Sequence, residues 1–186
     1  MADPISIVLI YGSVRPGRFC DRVVAWASAR IRRDPRFDLD VLDPATLALT
    51  GADSAAPALA AVKAQLDRAE AFVIVTPEYN HSTSGVLKNA IDYLYAEWNN
   101  KAVGFVSYGA VGGARAAEHL RLVAGELQMA DVRQQVTLSL ITDFENFSVF
   151  KPGDYSVAAL NTLFDQVVAW SAALAPLRQP AATTAS

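Results

Sequence analysis

The chain has 186 residues, of which 52% are hydrophobic and 19% are charged, and its formal net charge is −3. This acidic balance argues against nucleic acid or an anionic membrane surface as a partner. No apolar run approaches the roughly 20 residues of a membrane span, and no positive region precedes the short apolar run near the N-terminus, so no signal peptide is predicted. The single cysteine excludes an internal disulfide and favours a cytoplasmic location.

Near-continuous apolar runs alternate with segments of helical spacing along the chain. Strands are predicted over 5–11, 37–42, 71–76, 102–107 and 132–136. Helices are predicted over 19–33, 58–69, 86–94, about 115–129 and 154–175. The segment 37–42 alternates apolar and acidic residues, which indicates an edge strand. Pro77 should end the third strand at Thr76, because proline lacks an amide donor. Residues 43–57 are expected to form a loop that overhangs the pocket, and residues 137–153 look irregular.

Strands that alternate with helices predict a flavodoxin-like α/β three-layer sandwich with a five-stranded parallel sheet of order 2-1-3-4-5. We expect one domain over residues 1–180, followed by a mobile tail at 181–186. In this order strands 1, 3 and 4 are neighbours, so the loops 12–18, 77–85 and 107–115 converge at one edge of the sheet. Ligands of open α/β sheets bind at that edge.

The first of these loops has the character of an anion site. It lies at a strand-to-helix turn, where amides and the helix dipole attract negative charge. Ser13 offers a hydroxyl, and Arg15 and Arg18 offer guanidinium groups suited to phosphate oxygens. Gly12 and Gly17 allow close backbone approach. A P-loop is excluded because Arg18-Phe19 stands where Lys-Ser/Thr is required, and no G-x-G-x-x-G fingerprint is present.

The second and third loops are rich in amides, hydroxyls and glycine, and such groups suit a flat heterocycle better than a second phosphate. Gly109, Gly112 and Gly113 would let backbone amides lie against a ring edge. Tyr79 and Tyr108 could supply aromatic contacts, although ordinary packing would explain each of them equally well.

Three motifs together resemble the NADPH-dependent FMN reductase family, which includes flavodoxin-like quinone, azo-dye and chromate reductases. They are Gly12-Ser13-Val14-Arg15-Pro16-Gly17-Arg18, the Pro77-Glu78-Tyr79-Asn80 loop followed by 87–92 (LKNAID), and the glycine run that ends at Arg115. The resemblance covers residues 5–136. Family members often carry Ser-Phe-Asn around positions 18–20, where this chain has Arg18-Phe19-Cys20.

The resemblance implies which residues hold FMN. Ser13, Arg15 and Arg18 would hold its phosphate, while the isoalloxazine and its pyrimidine side would be lined by Pro77, Glu78, Tyr79, Asn80, Ser107, Gly109, Gly112 and Gly113. It also implies a homodimer or homotetramer, which the apolar composition fits. The chain would then take a hydride from NADPH or NADH and reduce a small-molecule acceptor, namely a quinone, an azo compound, free flavin or a metal oxyanion.

No catalytic side chain is assigned, since the cofactor would carry the chemistry. Two alternatives stay open: a flavodoxin-like electron carrier without nicotinamide turnover, and a phosphate-ligand binding module without a redox role. No metal site is predicted. His81 could touch the flavin or be merely solvated, and Glu78 could pair with an arginine across a subunit interface or guide nicotinamide. Cys20 could have a lowered pKa, although packing is the simpler interpretation.

Overall fold

The computed structural model describes residues 3–47 and 55–178 and contains a five-stranded, all-parallel sheet of order β2-β1-β3-β4-β5. The strands are β1 (Ile5–Tyr11), β2 (Phe37–Leu42), β3 (Ala71–Pro77), β4 (Ala102–Gly109) and β5 (Ala130–Ser139). This architecture confirms the predicted flavodoxin-like sheet and its strand order.

Five helices cover the two faces of the sheet in the described part of the chain. They are α1 (Cys20–Ile31), α2 (Ala55–Arg68), α3 (Gly85–Asp92), α4 (Ala114–Glu126) and α5 (Asp154–Arg178). Short 3₁₀ turns occupy Pro44–Thr46 and Ala96–Trp98. Helices α1 and α5 pack on one face of the sheet, and α2, α3 and α4 pack on the other. The result is the predicted three-layer sandwich.

The burial of the strands follows their sequence patterns. Every residue of β3 is buried, as expected for a near-continuous apolar run in the middle of a parallel sheet. In β2 the acidic residues Asp38 and Asp40 are exposed while Phe37 and Leu42 are buried. This alternation confirms that β2 is a half-exposed edge strand.

The predicted end of β3 at Thr76 is wrong by one residue. Pro77 pairs in register with Tyr108 of β4, and the amide of Glu78 donates to the Tyr108 carbonyl at 2.9 Å. The pairing of β1 with β3 already ends at Val75. Pro77 is therefore tolerated because it lies at the end of β3, beyond the last residue of this strand that pairs with β1.

The expectation of an irregular segment over 137–153 is also corrected. Residues 137–139 extend β5, and β6 (Phe144–Glu145) pairs antiparallel with β7 (Val149–Phe150). The rings of Phe144 and Phe150 lie 5.0 Å apart, and Phe144 also contacts Phe19 at 5.1 Å. These aromatic contacts attach the hairpin to the segment that leads into α1. No local sequence pattern predicts the hairpin.

Helix α5 is long and apolar enough, by length and composition alone, to cross a membrane. Its side chains Leu160, Leu163 and Val167 are fully buried in the core beside the sheet, and Leu163 packs closely over Gly104 of β4. These contacts are those of a core helix. Of the predicted loop 43–57, residues 44–46 form a 3₁₀ turn and 55–57 belong to α2, which corrects that expectation. Residues 48–54 of this loop and the predicted tail at 181–186 lie outside the described residues.

Candidate functional site

A cleft of about 260 Å³ opens at the carboxyl edge of the sheet, between the first two loops and the ends of β4 and β5. Its lining residues are Arg15, Pro16, Gly17, Arg18, Phe19, Pro77, Glu78, Tyr79, Tyr108, Gly109 and Leu140. Six of the predicted site residues are among them, so loops far apart in sequence do meet at one site. Leu140 was missed in the sequence because it follows a strand whose end could not be placed.

Gly12 brings the first loop directly against β3. Its amide donates to the Val75 carbonyl at 2.7 Å. A Cβ at this position would come within 2.8 Å of the Thr76 Cα and 3.1 Å of the Pro77 ring. A side chain therefore does not fit where the loop leaves β1, and this close contact places the next residues at the rim of the cleft.

Several amides of the first loop remain available to a ligand. In the described part of the chain, the backbone N–H groups of Ser13, Val14, Gly17 and Phe19 have no acceptor. Gly17 has a φ of +66° and open space around its Cα, as a loop that folds back on itself requires. Free amides that lead into the N-terminus of α1 form a site of positive potential.

Arg15 and Tyr79 form the exposed wall of the cleft. The Arg15 guanidinium lies over the Tyr79 ring, 3.7 Å from its centroid. The Tyr79 hydroxyl and the buried Ser13 hydroxyl are 3.0 Å apart. Within residues 3–47 and 55–178 no carboxylate pairs with Arg15, so its charge is free to meet an anionic ligand.

Arg18 has a different environment. Its Nη1 and Nη2 atoms donate to the two carboxylate oxygens of Asp43, and its Nε donates to Asp21 at 2.8 Å. Nη1 also donates to the Ser13 carbonyl, and the guanidinium lies 4.3 Å from the centre of the Tyr11 ring. Burial alone would raise the pKa of the Asp43 carboxyl, but hydrogen bonds from Arg18 and the Ala45 amide hold that pKa below its usual value.

The second loop turns at Asn80-His81. Both residues have a left-handed backbone, with φ of 50° and 68°. The amide of Tyr79 donates to the Ser82 carbonyl at 2.8 Å, and the amide of Ser82 donates back at 3.0 Å. This is a tight two-residue turn of the kind that asparagine favours. Asn80 is exposed on the turn and does not line the cleft.

Glu78 forms an ion pair within the chain. Its carboxylate, only 6% exposed, accepts from Arg115 Nε at 2.6 Å and from the Arg115 backbone amide at 3.2 Å. Arg115 Nη1 also lies 2.9 Å from His81 Nε2. Glu78 was expected to pair with an arginine across an interface, but its partner Arg115 belongs to the same chain, and the pair ties the second loop to the start of α4.

Ser84 links the first two loops and was not singled out from the sequence. Its hydroxyl accepts from the Leu87 amide at 3.1 Å and thereby caps α3. The same hydroxyl donates to the Gly12 carbonyl at 2.5 Å. A serine just before a helix is a typical N-cap, so the cap could have been predicted, whereas the bond to Gly12 depends on the tertiary fold.

The third loop is packed rather than open. Ser107 is fully buried in β4, where its hydroxyl donates to the Gly112 carbonyl at 2.7 Å and accepts from Gln135 Nε2 at 2.9 Å. Gly112 and Gly113 have φ of 70° and 73°, and a Cβ on Gly113 would lie 2.7 Å from the Tyr108 nitrogen. These three predicted residues shape the loop from beneath, and Gly109 is the one of the four that lines the cleft.

Tyr108 lines the cleft with most of its side chain buried, whereas Cys20 is buried at the start of α1 and does not line it. The Tyr108 hydroxyl is buried and has no hydrogen-bond partner among the described residues. The Cys20 thiol donates weakly to the Val75 carbonyl at 3.7 Å, and burial raises its pKa to about 11. A lowered pKa for Cys20 is therefore wrong, and the thiol is a packing group. The described residues contain no cluster of metal ligands.

The strand order, and a cleft at the carboxyl ends of the neighbouring strands β1 and β3, define the flavodoxin-like class. Residues 5–143 match the model of the family described as NADPH-dependent FMN reductase. The chain therefore belongs to that family and is an enzyme of the NAD(P)H-dependent FMN reductase or quinone reductase type.

Known proteins bear this out at the level of sequence and of fold. An NAD(P)H-dependent FMN reductase of Schizosaccharomyces pombe is 34% identical over 149 residues, which cover 74% of each chain. A quinone reductase of Escherichia coli K12 is 35% identical over 136 residues, or 66% of this chain and 71% of that one. The flavoenzyme NAD(P)H:(acceptor) oxidoreductase FerB of Paracoccus denitrificans superposes with a TM-score of 0.71 at 18% identity, covering 91% of this chain and 98% of its own.

Proposed function

We propose that the chain binds FMN in this cleft and passes electrons from NADPH or NADH through it to a small-molecule acceptor. The acceptor classes are quinones, azo compounds, free flavin and metal oxyanions. The observation that carries the proposal is the first loop, which has four amides without an acceptor among the described residues. Two of them, those of Gly17 and Phe19, are in the lining of an aromatic-walled cleft that Arg15, with no carboxylate partner among the described residues, also lines. Membership of the FMN reductase family gives this anion site its ligand class.

The residues present fit the cofactor. The amides of Ser13, Val14 and Gly17, with Arg15, suit a dianionic phosphate. Pro77, Tyr79 and Gly109 offer a flat, mostly apolar wall to a ring system. The space beside Gly109 is tight, since a Cβ there would lie 3.1 Å from the Glu78 Cβ. Ser107, Gly112 and Gly113 lie beneath this wall and support it. Asn80 lies on the exposed turn that follows Tyr79.

The roles of the chain's own side chains are positional and electrostatic. Bound FMN supplies two-electron chemistry between a nicotinamide and an oxidant. Arg15 supplies positive charge at the rim, and the Glu78–Arg115 pair holds the second loop against the start of α4. We assign no acid or base, because hydride transfer to a flavin requires no side-chain proton.

A homodimer or homotetramer in the cytoplasm belongs to the same proposal. The described surface carries exposed apolar side chains, including Val111, Ile141 and Phe147, and such groups are commonly covered by a second subunit. Analytical ultracentrifugation of the flavin-loaded protein measures this directly, and a monomer at all concentrations would remove the oligomer from the proposal.

The decisive experiment is the visible absorbance spectrum of the purified protein before and after FMN addition and desalting. We expect a retained flavin spectrum that bleaches with NADPH or NADH under nitrogen and recovers when a benzoquinone is added. Retention without bleaching would instead support the electron carrier. A protein that retains no FMN would leave the phosphate-ligand binding module as the better interpretation.

A further inference from the structure

We infer that the Arg18–Asp43 pair is a brace that orients the first loop for the flavin phosphate, with Asp43 as a positioning residue that does not itself touch the ligand. The inference rests on the proposed function. Asp43 follows β2 and is not among the residues that line the cleft, yet it binds both terminal nitrogens of Arg18, which lines the cleft and donates to the Ser13 carbonyl of the first loop.

The hydrogen bonds of Arg18 are nearly all used within the chain. A guanidinium has five N–H groups. Arg18 directs one to Asp21, two to the carboxylate of Asp43 and one to the Ser13 carbonyl. Its side chain is 10% exposed. One N–H group is therefore left for a ligand, and the role we infer for Arg18 lies in its contact with the Ser13 carbonyl.

The contact with the Ser13 carbonyl determines where an amide points. In a trans peptide the C=O and the following N–H point in opposite directions within one plane. Arg18 holds the Ser13 carbonyl, and so it fixes the plane that carries the Val14 N–H and turns that N–H away from the guanidinium. Ser84 does the same one residue earlier, since it holds the Gly12 carbonyl and thereby fixes the Ser13 N–H. Both amides lack an acceptor in the described structure.

Asp43 is itself rigidly held. Its Oδ1 accepts from the Ala45 amide at 2.9 Å, and its carbonyl accepts from the Thr46 hydroxyl at 2.8 Å, within the 3₁₀ turn that follows β2. The carboxylate is 20% exposed. Asp21, the other partner of Arg18, lies on the surface of α1 at 55% exposure. Asp43 therefore fixes the position of the guanidinium, whereas Asp21 adds a solvent-screened contact.

The test compares FMN with riboflavin, which has the same ring and ribityl chain but no phosphate. Flavin fluorescence quenching would measure the Kd of both for the flavin-free wild type, Asp43→Asn and Asp21→Asn. Asp43→Asn should weaken FMN binding about tenfold, the scale of a lost charge-assisted bond, and change riboflavin binding less than about twofold. Asp21→Asn, the matched control, should change neither by more than about twofold.

A double-mutant cycle separates the brace from a direct phosphate contact. If Arg18 acts through Ser13, Arg18→Met and the double variant Arg18→Met/Asp43→Asn should bind FMN with the same Kd, because both lack the brace. A further loss of FMN affinity on adding Arg18→Met to Asp43→Asn, with riboflavin unaffected, would show direct contact and overturn the inference. Equal FMN affinity of Asp43→Asn and wild type would also overturn it.

Loss of fold is distinguished by the second ligand and by a second variant. A general defect would weaken riboflavin as much as FMN, and Asp43→Glu, which keeps the carboxylate, should restore most of the preference for FMN. If Asp43→Glu and Asp43→Asn show the same loss of that preference, the carboxylate is not the brace. A wild type that binds neither flavin would refute the proposed function instead.

Discussion

The first and third loops both follow a central strand, both contain glycines and both lead into a helix, yet they serve different ends. In the first loop four amides have no acceptor among the residues that the structure describes, and Arg15 lies open at the rim. In the third loop the hydroxyl of Ser107 bonds to the Gly112 carbonyl, and Gly113 packs against the backbone of Tyr108. A glycine-rich turn is therefore not by itself a ligand site. What distinguishes the two is whether the polar groups are already satisfied.

The largest expected effect on stability is that of the Gly113→Ala substitution, which tests whether the third loop is tightly packed. The added methyl would lie 2.7 Å from the Tyr108 nitrogen, at a φ of +73°. We expect a loss of about 3 kcal/mol in the free energy of unfolding, measured by urea denaturation. The matched control is Gly125→Ala in α4, which has open space around it and should gain up to about 1 kcal/mol. An unchanged Gly113→Ala protein would mean that the third loop is not tightly packed.

Arg15→Ala should affect binding rather than stability. We expect the affinity for FMN to fall about 10- to 100-fold, since a charged hydrogen-bond donor is lost, while the free energy of unfolding changes by less than about 1 kcal/mol. Isothermal titration and thermal unfolding measure the two quantities. Arg22→Ala is the control, because Arg22 also lies over an aromatic ring, that of Phe19, but does not line the cleft. Unchanged FMN affinity in Arg15→Ala would remove Arg15 from the site.

Ser107→Ala should affect stability rather than FMN binding, which is the reverse of the expectation for Arg15→Ala. The variant leaves the Gly112 carbonyl and the Gln135 amide without their buried partner, at a cost of about 2 kcal/mol in unfolding free energy. The FMN Kd should change less than about threefold, because the loop rather than the hydroxyl faces the cleft. The exposed Ser148→Ala provides a baseline. A large loss of FMN affinity with unchanged stability would place the hydroxyl in direct contact with the flavin.

The smallest effect concerns Cys20. Folding raises the pKa of its thiol from 9.0 to about 11. Folding therefore favours the protonated thiol. The resulting contribution to the free energy of unfolding is fully present below pH 9 and is lost as the pH rises through 11. At pH 8 a disulfide reagent such as dithionitrobenzoate should not label the native protein and should label it fully in urea. Rapid labelling of the native state would show that the packing around Cys20 opens.

Most of the fold could be predicted from local pattern. Continuous apolar runs located β1 and β3, and the alternation at Asp38 and Asp40 identified the edge strand. The ends of β4 and β5 could not be placed, because pairing with a neighbouring strand, rather than composition, extends them to Gly109 and Ser139. The hairpin at 144–150 depends on aromatic contacts with Phe19, and so it has no local signal.

The sequence predicts which loops form the site, but it does not predict which of their arginines is free for a ligand and which one is held by a carboxylate. Arg15 and Arg18 stand three residues apart in one glycine-containing loop, and nothing local distinguishes them. The difference arises from Asp43, which is 25 positions away from Arg18 in sequence and reaches it only through the pairing of β1 with β2. Long-range partners of this kind decide which cation stays free.

The double role of Ser84 has a consequence for how the edge of the sheet moves. One hydroxyl holds the first turn of α3 through Leu87 and the first loop through Gly12. Fraying of α3 at its beginning therefore releases the Gly12 carbonyl at the same moment, so that the two segments open as one kinetic unit. Hydrogen exchange at Leu87, whose amide donates to this hydroxyl, should then slow when the first loop binds a phosphate, although the phosphate never touches α3.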